Sequence, residues 1–117
     1  MPMIRTRWGR IINISSVAAI TGNRGQVNYA AAKGALNSAT KSLALELASR
    51  GITVNAVAPG LIDAGMAEGF DKALIERMVP MKRAGRADEV AALVAFLASN
   101  DAGYISGQVI SINGGMI

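Results

Sequence analysis

Three short apolar runs alternate with two longer stretches of helical periodicity along this chain. Arg10–Ser15 (RIINIS), Ile52–Val57 (ITVNAV) and Gln108–Asn113 (QVISIN) are rich in β-branched residues and show little polar alternation. Runs of this kind are typical of parallel strands buried on both faces. Between the first two, Asn28–Ser49 repeats Ala32, Ala35, Leu36, Ala39, Leu43 and Leu47 at helical spacing, with Asn28 as its cap. Between the second and third, Ala87–Ser99 (ADEVAALVAFLAS) reads as an amphipathic helix with Asp88 and Glu89 in its first turn. Strand, helix, strand, helix, strand makes two βαβ units. The expected fold is therefore α/β: three parallel strands with right-handed helical crossovers. Such a sheet leaves strand edges open, and RIINIS is expected at one of them.

The segments between these elements carry turn signals. Residues 1–9 read as the tail of a helix, with Arg5 and Arg7 suited to its C-terminus and Gly9 as its stop. A helix end with no helix before it suggests that something upstream is missing. Residues 17–27 read as a loop turning at Gly22, Asn23 and Gly25. Residues 61–86 are irregular apart from a short helix near Asp71–Met78, and would suit a lid or substrate-binding element above the sheet.

Composition narrows the chemistry. The 117 residues suffice for one domain with a core, and that core must be aliphatic, since 51% of residues are apolar but only 4% aromatic. There is no cysteine and no histidine, which removes Ser–His and Cys–His nucleophilic systems and argues against a zinc site. Proton transfer then falls to Tyr, Lys, Asp or Glu. The net charge of +4 would suit an acidic partner, or simply a solvated basic surface. No basic–aromatic interleaving points to nucleic acid, and no apolar run approaches a membrane span. The opening residues lack the apolar region of a signal peptide, so a cytoplasmic protein is expected.

The candidate chemistry sits in Ser16–Lys33, SVAAITGNRGQVNYAAAK. Tyr29 and Lys33 are one helical turn apart and share a face. An ammonium beside a phenol favours the phenolate, which is what a proton donor working near neutral pH needs. That spacing alone is common on helices. Ser16 closes the first strand and Pro59-Gly60 closes the second, so both fall at the carboxyl edge, where open α/β sheets bind ligands. No GxGxxG, GxxxGxG or GxxxxGK occurs in these residues.

With NISS, NYAAAKGAL, SRGITVNAVAPG, AGRADEVA, FLAS and SINGGM in order, the chain resembles the carboxyl-terminal half of a short-chain dehydrogenase/reductase. Within that family it is most similar to the β-ketoacyl (3-oxoacyl)-[acyl-carrier-protein] reductases, from Met1 to Ile117. The resemblance implies half of a Rossmann-like, doubly wound sheet, with residues 1–117 a partial domain lacking the glycine-rich nucleotide-binding half. It implies that Ser16 orients the substrate oxygen and that Tyr29 exchanges a proton with it. Lys33 would tune Tyr29 and hold the nicotinamide ribose, while Pro59, Gly60 and Ile62 line the nicotinamide pocket, Ile62 through its backbone. It further implies NADP(H) as cofactor, with the residues that select against NAD(H) lying outside this stretch, and a tetrameric homo-oligomer formed through the long helix and the last strand. Arg7 and Arg50 would dock an acyl-carrier protein. Ala64 departs from the family's usual Thr, a change expected to weaken cofactor binding. Two alternatives stay open: reduction or oxidation of another small alcohol or ketone, and a catalytically silent module acting through oligomer interfaces.

Overall fold

The computed structural model describes residues 2–63 and 71–117. A short helix α1 (Pro2–Thr6) leads into β1 (Gly9–Ile14), then a one-turn helix α2 (Ala18–Thr21) and the long helix α3 (Val27–Leu47). A 3-10 turn at Ala48–Arg50 precedes β2 (Ile52–Pro59), followed by β3 (Ile62–Asp63), α4 (Lys72–Met78) and β4 (Gly85–Arg86). Helix α5 (Ala87–Ala98), a second 3-10 turn (Asn100–Ala102) and β5 (Val109–Ile112) complete the order.

β1, β2 and β5 form one parallel sheet in the order β1-β2-β5, as the βαβ pattern predicts. Gly9 pairs with Ile52 and Ile14 with Val57, so the two strands run in step from end to end. β2 is central, and its residues 52–58 are all buried. β1 is the expected open edge, and its middle is only half-buried. The continuous apolar run that marks a two-sided strand therefore describes β2 better than β1.

Alternate residues on a strand face opposite sides. Ile11, Ile52 and Val54 pack with Leu43, Ala44 and Leu47, which puts α3 on one face. Arg10 points to the other face, where its Nε donates to the Ser99 carbonyl (3.1 Å) just beyond α5. Trp8 reinforces that joint, donating to Asn100 Oδ1 (3.2 Å) while the Arg10 guanidinium lies 4.7 Å from its ring centre. The chain thus steps in one direction across the sheet while its helices change face. The two crossovers have opposite hands, so only one of them follows the expected right-handed rule.

Several local expectations shift. Arg7, not Gly9, takes the left-handed position after α1 (φ 56°), while Gly9 begins β1 with its bare Cα against the Met3 side chain. Residues 17–27 contain α2, entered through Ser16 Oγ, which accepts from the Ala18 N–H (3.2 Å), and Gly22 and Gly25 make the expected turns at positive φ. Asn28 lies inside α3; its N-cap is Gln26, without a side-chain cap bond. The predicted apolar face of α3 divides: Leu36, Leu43 and Leu47 turn toward the sheet with Thr40 and Ala44, whereas Ala32, Ala35 and Ala39 are exposed. Alanine is apolar enough to enter the pattern yet too small to fix which side is buried. Helix α4 falls where expected, with Asp71 Oδ1 accepting from the Ala73 N–H (3.0 Å). The pairing of β3 with β4 was not predicted, since two residues are too few for a pattern. Ala64 and the rest of 64–70 lie outside the described residues. No helix among the described residues is long and apolar enough to cross a membrane.

Candidate active site

The first strand does not end its pairing at Ile14. Ser15 N–H donates to the Val57 carbonyl (2.7 Å) and Val17 N–H to the Pro59 carbonyl (3.0 Å), so the ladder carries on past the strand. Ser16 lies between these two bonds and is thereby pinned beside Pro59-Gly60. Pro59 cannot donate, but its carbonyl is what holds the Ser16 turn in place. Gly60 N–H in turn donates to the Ile112 carbonyl of β5 (2.9 Å). A Cβ on Gly60 would lie 2.7 Å from Asn113 Cβ, so only glycine permits this closeness.

Helix α3 approaches the same edge from the side. Lys33 Nζ donates to the Ile14 carbonyl (2.9 Å), and Ser15 Oγ makes a long contact to the Lys33 carbonyl (3.5 Å). Deeper along the helix, Asn13 Nδ2 donates to Thr40 Oγ1 (2.9 Å), whose own hydroxyl donates to the Leu36 carbonyl (2.8 Å). Two side-chain bonds therefore set α3 against β1 in both height and rotation. Lys33 Nζ also lies 5.9 Å from the centre of the Tyr29 ring, at the outer limit of a cation–π contact. The Tyr29 side of this pair faces outward, with 43% of the residue exposed. An ammonium has three N–H donors, and Ile14 accepts from one.

Ser16, Tyr29, Lys33, Pro59 and Gly60 are thus gathered at the carboxyl edge of β1 and β2. Ile62 follows on the β5 side, in β3. Gly85 N–H donates to the Leu61 carbonyl (2.9 Å), and Ile62 pairs in parallel with Gly85. In a parallel ladder this register leaves the N–H and C=O of Ile62 itself pointing away from β4. A backbone aimed away from its partner strand suits the carboxamide contact that the resemblance implies.

The two arginines come together, but elsewhere. Arg7 Nη2 donates to the Ser49 carbonyl (3.0 Å), next to exposed Arg50. Both sit at the amino end of the sheet, where Gly9 meets Ile52. The six residues of β1, at about 3.3 Å each, put them roughly 20 Å from the edge that carries Ser16.

Sequence reasoning missed a third feature. A cavity of about 330 Å³ opens beside Gly60 on its β5 side, between β3–β4, Met81 and the Asn113–Gly115 turn. Its rim is an ion pair: Arg83 donates through both Nη1 (2.7 Å) and Nη2 (3.0 Å) to Glu89. Glu89 also accepts from the Arg86 N–H (3.0 Å) at the start of α5. Arg83 first, then that backbone N–H, lowers the Glu89 carboxyl to about 2, while Glu89 raises Arg83 above its ordinary value. Only the acidic first turn of α5 hinted at this from sequence.

Comparison with known proteins covers this whole frame. The family model described as Enoyl-(Acyl carrier protein) reductase matches residues 1–117. The 3-oxoacyl-[acyl-carrier-protein] reductase FabG of Pseudomonas aeruginosa is 51% identical over 117 residues, which cover 97% of this chain and 47% of that protein. The protein of the same name from Buchnera aphidicola is 53% identical over 117 residues, 97% of this chain and 48% of its own length. Nodulation protein G of a Rhizobium strain is 51% identical over 118 residues, 98% of this chain and 48% of its own. The chain spans about half the length of the curated relatives it matches. A match to the family model over residues 1–117, joined to identity at about half of the positions, means that this chain belongs to the short-chain dehydrogenase/reductase family.

Proposed function

We propose that residues 1–117 are the catalytic half of an NADP(H)-dependent reductase that converts a 3-oxoacyl thioester to its 3-hydroxyacyl form. The observation that carries this reading is that Ser16, held between the Ser15–Val57 and Val17–Pro59 bonds, and the Lys33 ammonium, bound to the Ile14 carbonyl, meet at the same end of β1, with the Tyr29 ring 5.9 Å from Lys33. Ser16 Oγ donates to the substrate carbonyl oxygen and fixes its position. Tyr29 donates the proton that this oxygen needs as its charge develops. Lys33 holds its place through Ile14 and keeps positive charge beside the phenol, where it stabilises the phenolate left behind. The nicotinamide, when bound, supplies hydride to the carbonyl carbon. Lys33 would hold its ribose, and Pro59, Gly60 and the Ile62 backbone its ring and carboxamide.

The matching family model is described by an enoyl substrate and two of the three relatives by a 3-oxoacyl one. The relatives' name favours the oxo substrate, because identity above half over the whole stretch is the finer comparison. Arg7 and Arg50, side by side, form one basic patch for an acidic carrier protein, and the exposed alanine face of α3 with the open edge of β5 serves homo-oligomer assembly. The test is titration of the purified chain with NADPH, then NADPH oxidation with 3-oxoacyl and 2-enoyl thioesters. Turnover of the oxo substrate, reduced about 100- to 10,000-fold in Tyr29→Phe, is expected. Undiminished turnover in Tyr29→Phe would refute the assignment of Tyr29.

A second reading rests on Val27 and Leu45, which are 80% and 85% exposed. Such a chain would act as an assembly module. Absence of NADPH binding with retained self-association would favour it.

A further inference from the structure

We propose that Arg24 binds the phosphate of a pantetheine-linked substrate, so that its loop selects phosphorylated thioesters over unphosphorylated ones. This rests on the 3-oxoacyl reading above and adds the residue that would recognise the arm carrying the acyl group. Residues 16–29 form a braced arch whose two feet are the candidate catalytic side chains. At the first foot Ser16 Oγ accepts from the Ala18 N–H (3.2 Å), and Gly22 N–H closes α2 on the Ala18 carbonyl (2.8 Å). At the tip Gln26 N–H donates to the Asn23 carbonyl (3.2 Å), and Asn23 Nδ2 donates to Gln26 Oε1 (2.6 Å). Ala30 N–H donates to the Gln26 carbonyl (2.7 Å), which joins the tip to the turn of α3 that carries Tyr29. Arg24 stands second in the tip's turn, and Gly25 after it takes the positive φ (77°) that such a turn requires. The backbone is thus fixed while the Arg24 side chain is exposed. Its guanidinium has no hydrogen-bond or ion-pair partner among the described residues. Its own stretch offers none either, since the first acidic residue in the chain is Glu46. A planar fork left free in this way matches two oxygens of a phosphate.

Position favours the substrate's phosphate over the cofactor's. Lys33, assigned to the nicotinamide ribose, lies one turn further into α3 than Tyr29, whereas Arg24 precedes the helix. Cofactor and Arg24 therefore fall on opposite sides of the proton donor. The chain from Arg24 to Tyr29 spans at most about 18 Å if extended, and the turn and helix shorten it. A pantetheine arm runs about 16 bonds from the reacting carbonyl carbon to phosphorus, or about 19 Å at about 3.6 Å per three bonds. A carbonyl held by Ser16 and Tyr29 thus leaves enough arm for its phosphate to meet Arg24.

The experiment is calorimetric titration of the purified chain with two 3-oxoacyl thioesters of one acyl length, on pantetheine and on phosphopantetheine, which differ only in the phosphate. At low salt the phosphorylated thioester should bind about three- to tenfold more tightly, a preference that shrinks as salt screens the contact. Arg24→Gln should bring the two affinities together. Arg5→Gln, which removes the same charge from exposed α1, should leave them apart. NADPH affinity should be the same in Arg24→Gln as in the parent. The ratio of the two thioester affinities is the readout, so a general loss of folded protein divides out. Equal binding of both thioesters by the parent overturns the phosphate subsite alone. So does a preference kept in Arg24→Gln, one lost equally in Arg5→Gln, or a loss in Arg24→Gln confined to NADPH. No binding of either thioester overturns the 3-oxoacyl reading itself.

Discussion

Two glycines near the candidate site should respond to the same substitution with opposite sign. In Gly60→Ala the new Cβ would meet Asn113 Cβ at 2.7 Å and Asn113 Cα at 3.0 Å, with Met116 Sδ at 3.2 Å. Comfortable carbon–carbon contact begins near 3.5 Å, so about 0.8 Å must be found. Neither Asn113 atom can rotate away, because one is backbone and the other is fixed by it. Asn113 Oδ1 further ties the turn by accepting from the Gly115 (3.0 Å) and Met116 (3.1 Å) N–H groups. Relief therefore means parting the ends of β2 and β5. That would stretch the 2.9 Å bond from Gly60 N–H to the Ile112 carbonyl to nearly 3.7 Å, outside hydrogen-bond range. Overpacking costs about 1–3 kcal/mol and the lost bond about 1, giving roughly 2–4 kcal/mol. Gly34, in the interior of α3, has nothing within 4 Å of the same Cβ, so Gly34→Ala should stabilise by about 0.5–1 kcal/mol through helix propensity. Urea unfolding followed by far-UV circular dichroism measures both. A midpoint lowered by roughly 1–2 M in Gly60→Ala and slightly raised in Gly34→Ala is expected. Gly60→Ala as stable as the parent would show that the β2–β5 junction yields freely, and would refute the steric account of Pro59-Gly60.

Three further outcomes follow from the described contacts. Glu89→Gln should destabilise the start of α5 at neutral pH. Because the folded-state carboxyl is lowered to about 2, its contribution is present above the ordinary value of 4.5 and is lost as pH falls toward 2. Thermal melts of parent and variant should accordingly converge across that window, and a constant difference would contradict the Arg83–Glu89 account. Thr40→Val leaves the Asn13 amide without its acceptor and should cost about 1–3 kcal/mol, whereas Thr40→Ser should cost less; equal losses would mean the bond is idle. The open β1 edge and exposed Val27 and Leu45 should make the isolated chain self-associate, which a concentration-independent monomer in analytical ultracentrifugation would contradict.

Apolar periodicity, turn residues and the absence of His and Cys were local signals, and local signals were legible without coordinates. They gave the three strands, the two long helices, the turns at Gly22 and Gly25 and the pairing of Tyr29 with Lys33 on one helical face. Periodicity is set by backbone geometry within a segment, so each segment announces its own type. What the segments do to one another was not written locally. That Pro59 pins the Ser16 turn through its carbonyl, and that Lys33 reaches the Ile14 carbonyl, depends on a register fixed between residues tens of positions apart. The opposite hands of the crossovers, the burial of only one side of an alanine-rich helix and the roughly 20 Å between the paired arginines and Tyr29's edge were decided the same way. So was the cavity beside Gly60, whose walls come from four separate stretches of chain. The candidate residues were determined by sequence; their gathering at one sheet edge was decided by long-range packing, which no single segment encodes.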